Sequence, residues 1–239
     1  MTNKKLTWQQ LVLIASLIFG MFFGAGNLIF PVQLGQLAGG NWLPATLGFL
    51  VTGTVVPFLA MLAVSVTHSR SVYDVAKPVG HWFGLAFLVA IHLTIGPFFG
   101  TPRTAATAFS MGVAPFLAPK DQGLGMLLFS GAFFGLAYYL TVKQSGLMKW
   151  VGKYLNPLFL ALLLVVLLLA LVMPMGSTHQ AVSATYQAHA GFQGILDGYN
   201  TMDGIALLAL AVSVVYAVKA LGFRDAQVSQ VLAKAGLFS

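Results

Sequence analysis

The acidic side chains available for chemistry in this chain are few, and two of them are unusually placed. The 239 residues include five aspartates, no glutamate and no cysteine, which excludes thiolate nucleophiles and thiolate metal sites. Asp197 and Asp203 lie with Asn200 in one otherwise apolar segment. Carboxylates in such a segment are costly unless they face protein or water, so this segment is a candidate binding site.

A second polar interruption lies near the N-terminus. The sequence Gly24-Ala25-Gly26-Asn27 falls at the middle of a long apolar run. Glycines weaken a helix, and an asparagine side chain can cap a new one. The pattern predicts either a broken helix, whose free N–H groups would attract an anion, or close helix packing through small residues.

The elements that position these residues belong to a lipid environment. Hydrophobic residues make up 58% of the chain, charged residues 7%, and the mean hydropathy is +0.87. Soluble domains carry about 25% charged residues. A cytosolic enzyme, a secreted disulfide scaffold and a disordered tail are excluded, because so few charges cannot cover a soluble surface. The composition predicts an all-α integral membrane protein with the lipid bilayer as its first partner.

Apolar runs of about 20 residues predict six membrane spans, separated by turn signals. Their approximate ranges are 11–38, 42–66, 82–115, 124–142, 155–173 and 190–218. The first span would break at 24–27. The sixth would break at 197–204, because the remaining residues from Ile205 to Val218 are too few to cross a bilayer alone. The alternative is that 197–204 is an outer loop.

Basic residues predict the orientation. With a cytoplasmic N-terminus, the inner segments hold ten lysines and arginines and the outer ones only Lys120, while Arg103 lies in or beside the third span. This distribution follows the tendency of positive charge to stay inside. It also explains the net charge of +7 without a nucleic-acid partner. We expect a multi-pass protein of the cell membrane.

Discontinuous first and sixth helices are typical of transporters with inverted repeats, whose site lies where those helices break. The N-termini of half-helices attract a carboxylate, whereas their C-termini and unwound carbonyls attract an ammonium group or a cation. A zwitterionic amino acid with a coupled cation would satisfy both sets of groups.

Several motifs resemble the sequence signatures of one transporter family. Residues Phe23–Pro31, Ile95–Ala105 and Gly198–Asp203 are similar to the first-, third- and sixth-helix signatures of the bacterial branched-chain amino acid:cation symporters. Ala217-Val218-Lys219 resembles the end of the family's sixth helix. The motifs follow the family's order along the whole chain, which argues against chance similarity.

The resemblance implies a polytopic bundle with the five-plus-five inverted-repeat (LeuT-like) fold and about twelve helices. Residues 1–174 would form the first repeat, 188–220 the first helix of the second repeat, and 221–239 a cytoplasmic connection. The partner would then be the C-terminal helices of the same transporter. The implied function is import of leucine, isoleucine and valine by symport with Na⁺ or H⁺, with no further cofactor. Gly100 and Gly204 depart from the family pattern without changing this class.

The resemblance also implies the binding residues. The amides of Leu28 and Ile29 would receive the substrate carboxylate, and the Phe22 and Phe23 carbonyls would help to hold a cation. The implied substrate set is Gly24, Ala25, Gly26, Asn27, Leu28, Ile29, Tyr199, Asn200 and Thr201, and the cation set is Phe22, Phe23, Asn27 and Asp203. No catalytic residue and no metal site are expected.

Three polar residues keep two interpretations each. Arg103 binds a substrate carboxylate, or it lies at the outer interface and pairs with Asp197 or Asp121. His92 relays protons or packs through a hydrogen bond. Asp203 ligates a cation or caps the second half of the sixth helix.

Other functional classes fit less well. Asp197-Gly198 and Asp203-Gly204 partly resemble the aspartate cluster of CDP-alcohol phosphotransferases, but the Ala-Arg after the first pair and the later aspartates are missing. HExxH and GxSxG motifs are absent from the sequence, and His179 and His189, expected in an outer loop, have no metal-ligand spacing. A membrane enzyme acting on lipid-linked substrates, a channel or receptor, and a symporter for another amino acid remain the alternatives.

The orientation gives a first test. A reporter fused at Gly176 should behave as external, because the loop between the fifth and sixth spans is predicted to lie outside. A reporter fused at Lys149 is the matched cytoplasmic control. A cytoplasmic signal from the Gly176 fusion would contradict the predicted orientation.

Overall fold

The computed structural model describes residues 6–142, 156–173 and 180–239. Within these ranges the chain forms helices and turns and no β-strand, which confirms the all-α class. Lys149, Lys153, Gly176 and His179 lie outside the described residues.

The described α-helices are numbered in chain order. They are α1 (Trp8–Phe22), α2 (Ala25–Ala38), α3 (Trp42–Leu50), α4 (Val56–Val66), α5 (Val72–Ala76), α6 (His81–Leu93), α7 (Gly100–Gly112), α8 (Gln122–Val142), α9 (Asn156–Val172), α10 (Ala184–Asn200), α11 (Asp203–Ala220) and α12 (Asp225–Phe238). Two π-helical turns, Val51–Val55 and Thr94–Phe98, interrupt the second and third predicted spans.

The first span is broken where the sequence predicts. Helix α1 ends at Phe22 and α2 begins at Ala25, with Gly24 in an extended conformation (φ −104°, ψ −177°). A Cβ added at Gly24 would meet only the chain's own Phe22 carbonyl, at 4.0 Å. Helix packing therefore does not explain this glycine, whose extended backbone separates α1 from α2.

The sixth span is also broken, but over fewer residues than predicted. Helix α10 continues to Asn200 and α11 begins at Asp203, with Met202 in the left-handed region (φ 66°). The alternative in which 197–204 is an outer loop is wrong. The placement of His189 in an outer loop is also wrong, because His189 lies inside α10 at a kink (φ −141°, ψ 56°).

The third predicted span contains a break that the sequence analysis did not predict. Gly96, followed by Pro97, has non-helical angles (φ −78°, ψ −111°) inside the second π-helical turn. Proline removes a backbone donor and glycine tolerates unusual angles, so this pair accounts for the interruption.

Four helical stretches of the described chain are long and apolar enough to cross a membrane: Gly26–Val66, His81–Phe116, Pro119–Val142 and Ala184–Ala220. Trp8–Phe22 and Pro157–Val172 are shorter apolar helices. The break at Gly24 separates α1 from the first stretch, which then runs on into the second predicted span. The described parts of the six predicted spans are thus mostly helical, but they are joined to one another differently from the prediction.

The chain divides into two compact units, residues 1–95 with 177–239, and residues 96–176. The bounds of these compact units differ from those of the predicted first repeat (1–174) and of the predicted first helix of the second repeat (188–220). The assignment of the repeats therefore stays a prediction. In the second unit, α7 and α8 pack through the rings of Phe109 and Phe129, whose centroids are 5.7 Å apart.

The first unit has two hydrophobic clusters. The larger joins α1, α4, α11 and α12 around fully buried side chains that include Ile14, Val64, Val214 and Leu232. The smaller joins α2, α3 and α10 around Leu34, Phe49, Tyr186 and other residues.

Helix α12 changes the interpretation of residues 221–239. These residues were expected to form a connection, yet α12 buries Val228, Val231, Leu232 and Ala235 in the larger cluster. At its start, the Nζ of Lys219 lies 2.7 Å from an Asp225 carboxylate oxygen. That bond and the lysine charge hold the pKa of Asp225 below its usual range.

Helices α3 and α10 approach closely through glycines on one face of α10. A Cβ added at Gly194 would lie inside van der Waals contact of the Ala45 carbonyl oxygen and 3.0 Å from the Phe49 nitrogen. One added at Gly198 would lie 2.8 Å from the Gly53 nitrogen. Small residues let helix backbones approach in this way in membranes, where packing rather than hydrophobicity drives association.

This contact gives the second test. Gly194→Ala should lower the free energy of unfolding by about 1–3 kcal/mol, because the new methyl group meets backbone that cannot move aside. Gly191→Ala on the same helix is the matched control, since its Cβ would lie 3.5 Å from the nearest atom, the Pro44 carbonyl oxygen. Thermal unfolding of the purified protein in detergent measures both. Equal stability of the two variants would contradict the close contact.

Candidate functional site

Both helix breaks of the first unit border one cavity of about 350 Å³. Its lining is mostly apolar, with a few polar groups, as is usual for a small-molecule site. The lining residues are Ile18, Phe19, Phe22, Phe23, Asn27, Pro31, Phe49, Gly53, Thr54, Pro57, Phe58, Met61, Asp203, Leu207, Gly236 and Ser239. All four residues of the predicted cation set, Phe22, Phe23, Asn27 and Asp203, are among them.

Asn27 bridges the first break. Its side-chain amide donates to the Phe22 carbonyl at 2.9 Å, and its backbone N–H donates to the Gly24 carbonyl at 3.1 Å. Phe22 is the last residue of α1, so the amide satisfies a carbonyl that the helix end leaves unpaired. The Asn27 side-chain oxygen remains as an acceptor for a cation, which is consistent with the predicted role.

The N-terminus of α2 has no side-chain cap. In an α-helix that begins at Ala25, the amides before Asn27 have no intrahelical acceptor, whereas those of Leu28 and Ile29 belong to the first full turn. Ala25, Gly26, Leu28 and Ile29 do not belong to the described lining of the cavity, to which α2 contributes Asn27 and Pro31. The assignment to Leu28 and Ile29 stays a prediction.

The residues of the sixth-helix break divide into two groups. Thr201 is 4% exposed, and its hydroxyl donates to the Gly198 carbonyl at 2.7 Å, so it stabilises the end of α10. Tyr199 is 62% exposed, and neither it, Asn200 nor Thr201 belongs to the described lining of the cavity. Asp203 does line the cavity, in the first turn of α11, where its charge suits the helix dipole. The N-cap of α11 is Met202, and no side-chain cap hydrogen bond forms there, so the interpretation of Asp203 as the cap is wrong. The cation interpretation of Asp203 stays a prediction.

Asp197 lies in α10 and accepts two hydrogen bonds from its own helix. The Tyr186 hydroxyl donates to one carboxylate oxygen, and the Gln193 side-chain amide donates to the other at 3.1 Å. These bonds explain why α10 continues through Asp197. His92 bonds similarly within α6, because its Nδ1 lies 2.9 Å from the Leu88 carbonyl oxygen and must donate to it. The role of Arg103 stays open.

Aromatic rings form much of the cavity wall. The stacked rings of Phe19 and Phe23 have centroids 4.8 Å apart, and Phe22, Phe49 and Phe58 add further apolar surface. A branched aliphatic side chain would be desolvated favourably against such a wall. Within the described ranges no group of three or more histidine and carboxylate side chains is arranged to hold a metal ion.

Two groups of cavity residues were not predicted from the sequence. Gly53, Thr54 and Pro57 come from the second span, and Gly236 and Ser239 from the end of the chain. The signal for the first group is Thr52-Gly53-Thr54 followed by Pro57 within a run of apolar residues. The second group has no such signal, because its role depends on how α12 packs.

Several bacterial branched-chain amino acid permeases are similar to most of this chain. The branched-chain amino acid permease BrnQ of Lactobacillus delbrueckii subsp. lactis is 36% identical over 222 residues, covering 92% of this chain and 50% of that protein. The permease BraB of Bacillus subtilis is 40% identical over 216 residues, covering 90% and 48%. BrnQ of Corynebacterium glutamicum is 44% identical over 212 residues, covering 88% and 48%.

The chain thus spans about half the length of these relatives. No solved structure matches it with significant similarity. The sequence profile described as "Branched-chain amino acid transport protein" matches residues 7–239, almost the whole chain. Together with the two broken helices and their shared cavity, this match shows that the chain belongs to the branched-chain amino acid transport protein family.

Proposed function

We propose that this chain forms part of a secondary transporter that imports leucine, isoleucine and valine by symport with Na⁺ or H⁺. The observation that carries the proposal is the cavity at which both helix breaks meet. Backbone groups freed at such breaks bind charged groups in a membrane without requiring an ionised side chain for each. Membership of the family and the permease names of the relatives support the same conclusion.

The cavity and the helix end beside it offer partners for each part of an amino acid. The positive N-terminal end of α2, from which Asn27 lines the cavity, suits the carboxylate. The Asn27 side-chain oxygen and the Asp203 carboxylate suit a positive charge, either the ammonium group or the coupled cation. The phenylalanine wall suits an aliphatic side chain. Tyr199, Asn200 and Thr201 would act indirectly, by shaping the sixth-helix break.

We extend the proposal to architecture and orientation. The chain would supply the first repeat (1–174) and the first helix of the second repeat (188–220) of a LeuT-like fold, with its N-terminus in the cytoplasm and its breaks near the bilayer midplane. The relatives are about twice as long, which supports further helices that complete the site. Alternating access needs one part of such a fold to move against another.

Asn27 tests the site. Asn27→Leu should reduce leucine uptake by the complete transporter about tenfold, because it removes the amide that satisfies the Phe22 carbonyl. Losing such a part-buried bond costs about 1–3 kcal/mol, and about 1.4 kcal/mol corresponds to tenfold. Uptake of labelled leucine into cells, with membrane insertion measured in parallel, gives the result. Leu47→Ala, on an exposed position of α3, is the control. Normal uptake by Asn27→Leu would limit the break to a structural role.

The completeness of the site gives another test. The 239-residue chain, purified and reconstituted alone, should not accumulate leucine against a gradient, because its polar breaks would lack covering helices. Liposomes with the complete transporter and an imposed Na⁺ or H⁺ gradient are the positive control. Competition by unlabelled amino acids tests the alternative of a different substrate. Robust accumulation by the chain alone would contradict the proposed architecture.

A further inference from the structure

The π-helical turn in the second span disturbs the backbone hydrogen bonds beside the cavity. The Val56 N–H donates to the Val51 carbonyl, five residues back, instead of to that of Thr52. The next residue is Pro57, which has no N–H to donate. The carbonyls of Thr52 and Gly53 therefore lose the helical donors that residues 56 and 57 would ordinarily supply.

This turn is held firmly in place. The Thr52 hydroxyl donates to the Ile195 carbonyl of α10 at 2.6 Å. Gly198, before the sixth-helix break, lies against the Gly53 backbone, and Gly204, after the break, lies against Val56. The turn and the residue after it thus contact α10 before the sixth-helix break and α11 after it. π-helical turns are frequent at functional sites.

Residues of this turn line the same cavity as those already assigned to it. Gly53, Thr54 and Pro57 line it together with Asn27 and Asp203. In other helices Thr67 and Thr141 donate to the carbonyl four residues back. Thr54 forms no such bond within the described chain, so its hydroxyl is available to the cavity.

We infer that the π-helical turn is a third wall of the binding site, in which the Thr54 hydroxyl and the Gly53 carbonyl bind a small cationic group. Small cations such as Na⁺ prefer oxygen ligands, and an ammonium group donates to the same atoms. This inference rests on the proposed function and adds to it a residue that neither the helix breaks nor the family motifs identify. Thr52 has a different role, because it positions the turn and its hydroxyl is already bound to Ile195.

Threonine variants of the complete transporter test the inference. Thr54→Val keeps the shape of the side chain and removes the hydroxyl, whereas Thr54→Ser keeps the hydroxyl. Thr46→Val is the matched control, since Thr46 lies in the same span but not in the cavity lining. Labelled leucine uptake is measured against Na⁺ at fixed leucine, and against leucine at saturating Na⁺.

We expect Thr54→Val to raise the half-saturating Na⁺ concentration about tenfold if the group is Na⁺. If the group is the substrate's ammonium, the leucine KM should rise about tenfold instead. Thr54→Ser and Thr46→Val should stay near wild type in both cases. Thermal unfolding of the purified proteins adds a readout without transport, because the stabilisation by a fixed concentration of Na⁺ or leucine should be reduced in Thr54→Val alone.

Two results would overturn the inference. If Thr54→Val keeps the wild-type Na⁺ dependence, leucine KM and ligand stabilisation, the turn is structural while the proposed function still stands. If wild type itself accumulates no leucine under either ion gradient, the proposed function fails and this inference fails with it.

Discussion

A backbone that leaves its helix inside a membrane must find other hydrogen-bond partners, since hydrocarbon supplies none. Side chains meet this requirement at the two helix breaks near the cavity, and at the π-helical turn a side chain holds the turn in place. Asn27 bonds the carbonyl at the end of α1, Thr201 bonds one at the end of α10, and Thr52 links the π-helical turn to Ile195. These bonds let the chain leave three segments irregular while keeping each in a fixed place. The cavity exists because those three segments lie around it.

Close packing supports the same arrangement. Gly194 and Gly198 let α10 approach α3 until backbone meets backbone, which brings Ile195 within reach of the Thr52 hydroxyl. On the other side, α12 closes the larger cluster by packing four apolar side chains against it. Both contacts determine where the residues of the cavity lie.

The sequence predicts the helices and the first break because hydropathy and glycine act locally. Gly24 and Asn27 need no distant partner for their effect to be recognised. The extent of the sixth break was overestimated, because the bonds of Tyr186 and Gln193 that keep Asp197 helical depend on the folded helix. The third-span break at Gly96 and the packed helix α12 were also missed. For the site, Asn27 and Asp203 were found from their polarity in apolar runs, whereas Thr54 became evident only from the register of the π-helical turn.

The glycine contact between α3 and α10 also has a consequence for motion. Two helices whose backbones are in direct contact cannot easily move past each other, so we expect α3 and α10 to move as one rigid unit. Along the chain, helix α11 is joined to α10 through Thr201 and Met202. Bending between the two halves of the sixth span changes the dihedral angles of these two residues and also shifts Gly204 against Val56. Met202, which already adopts the left-handed region, is the natural pivot.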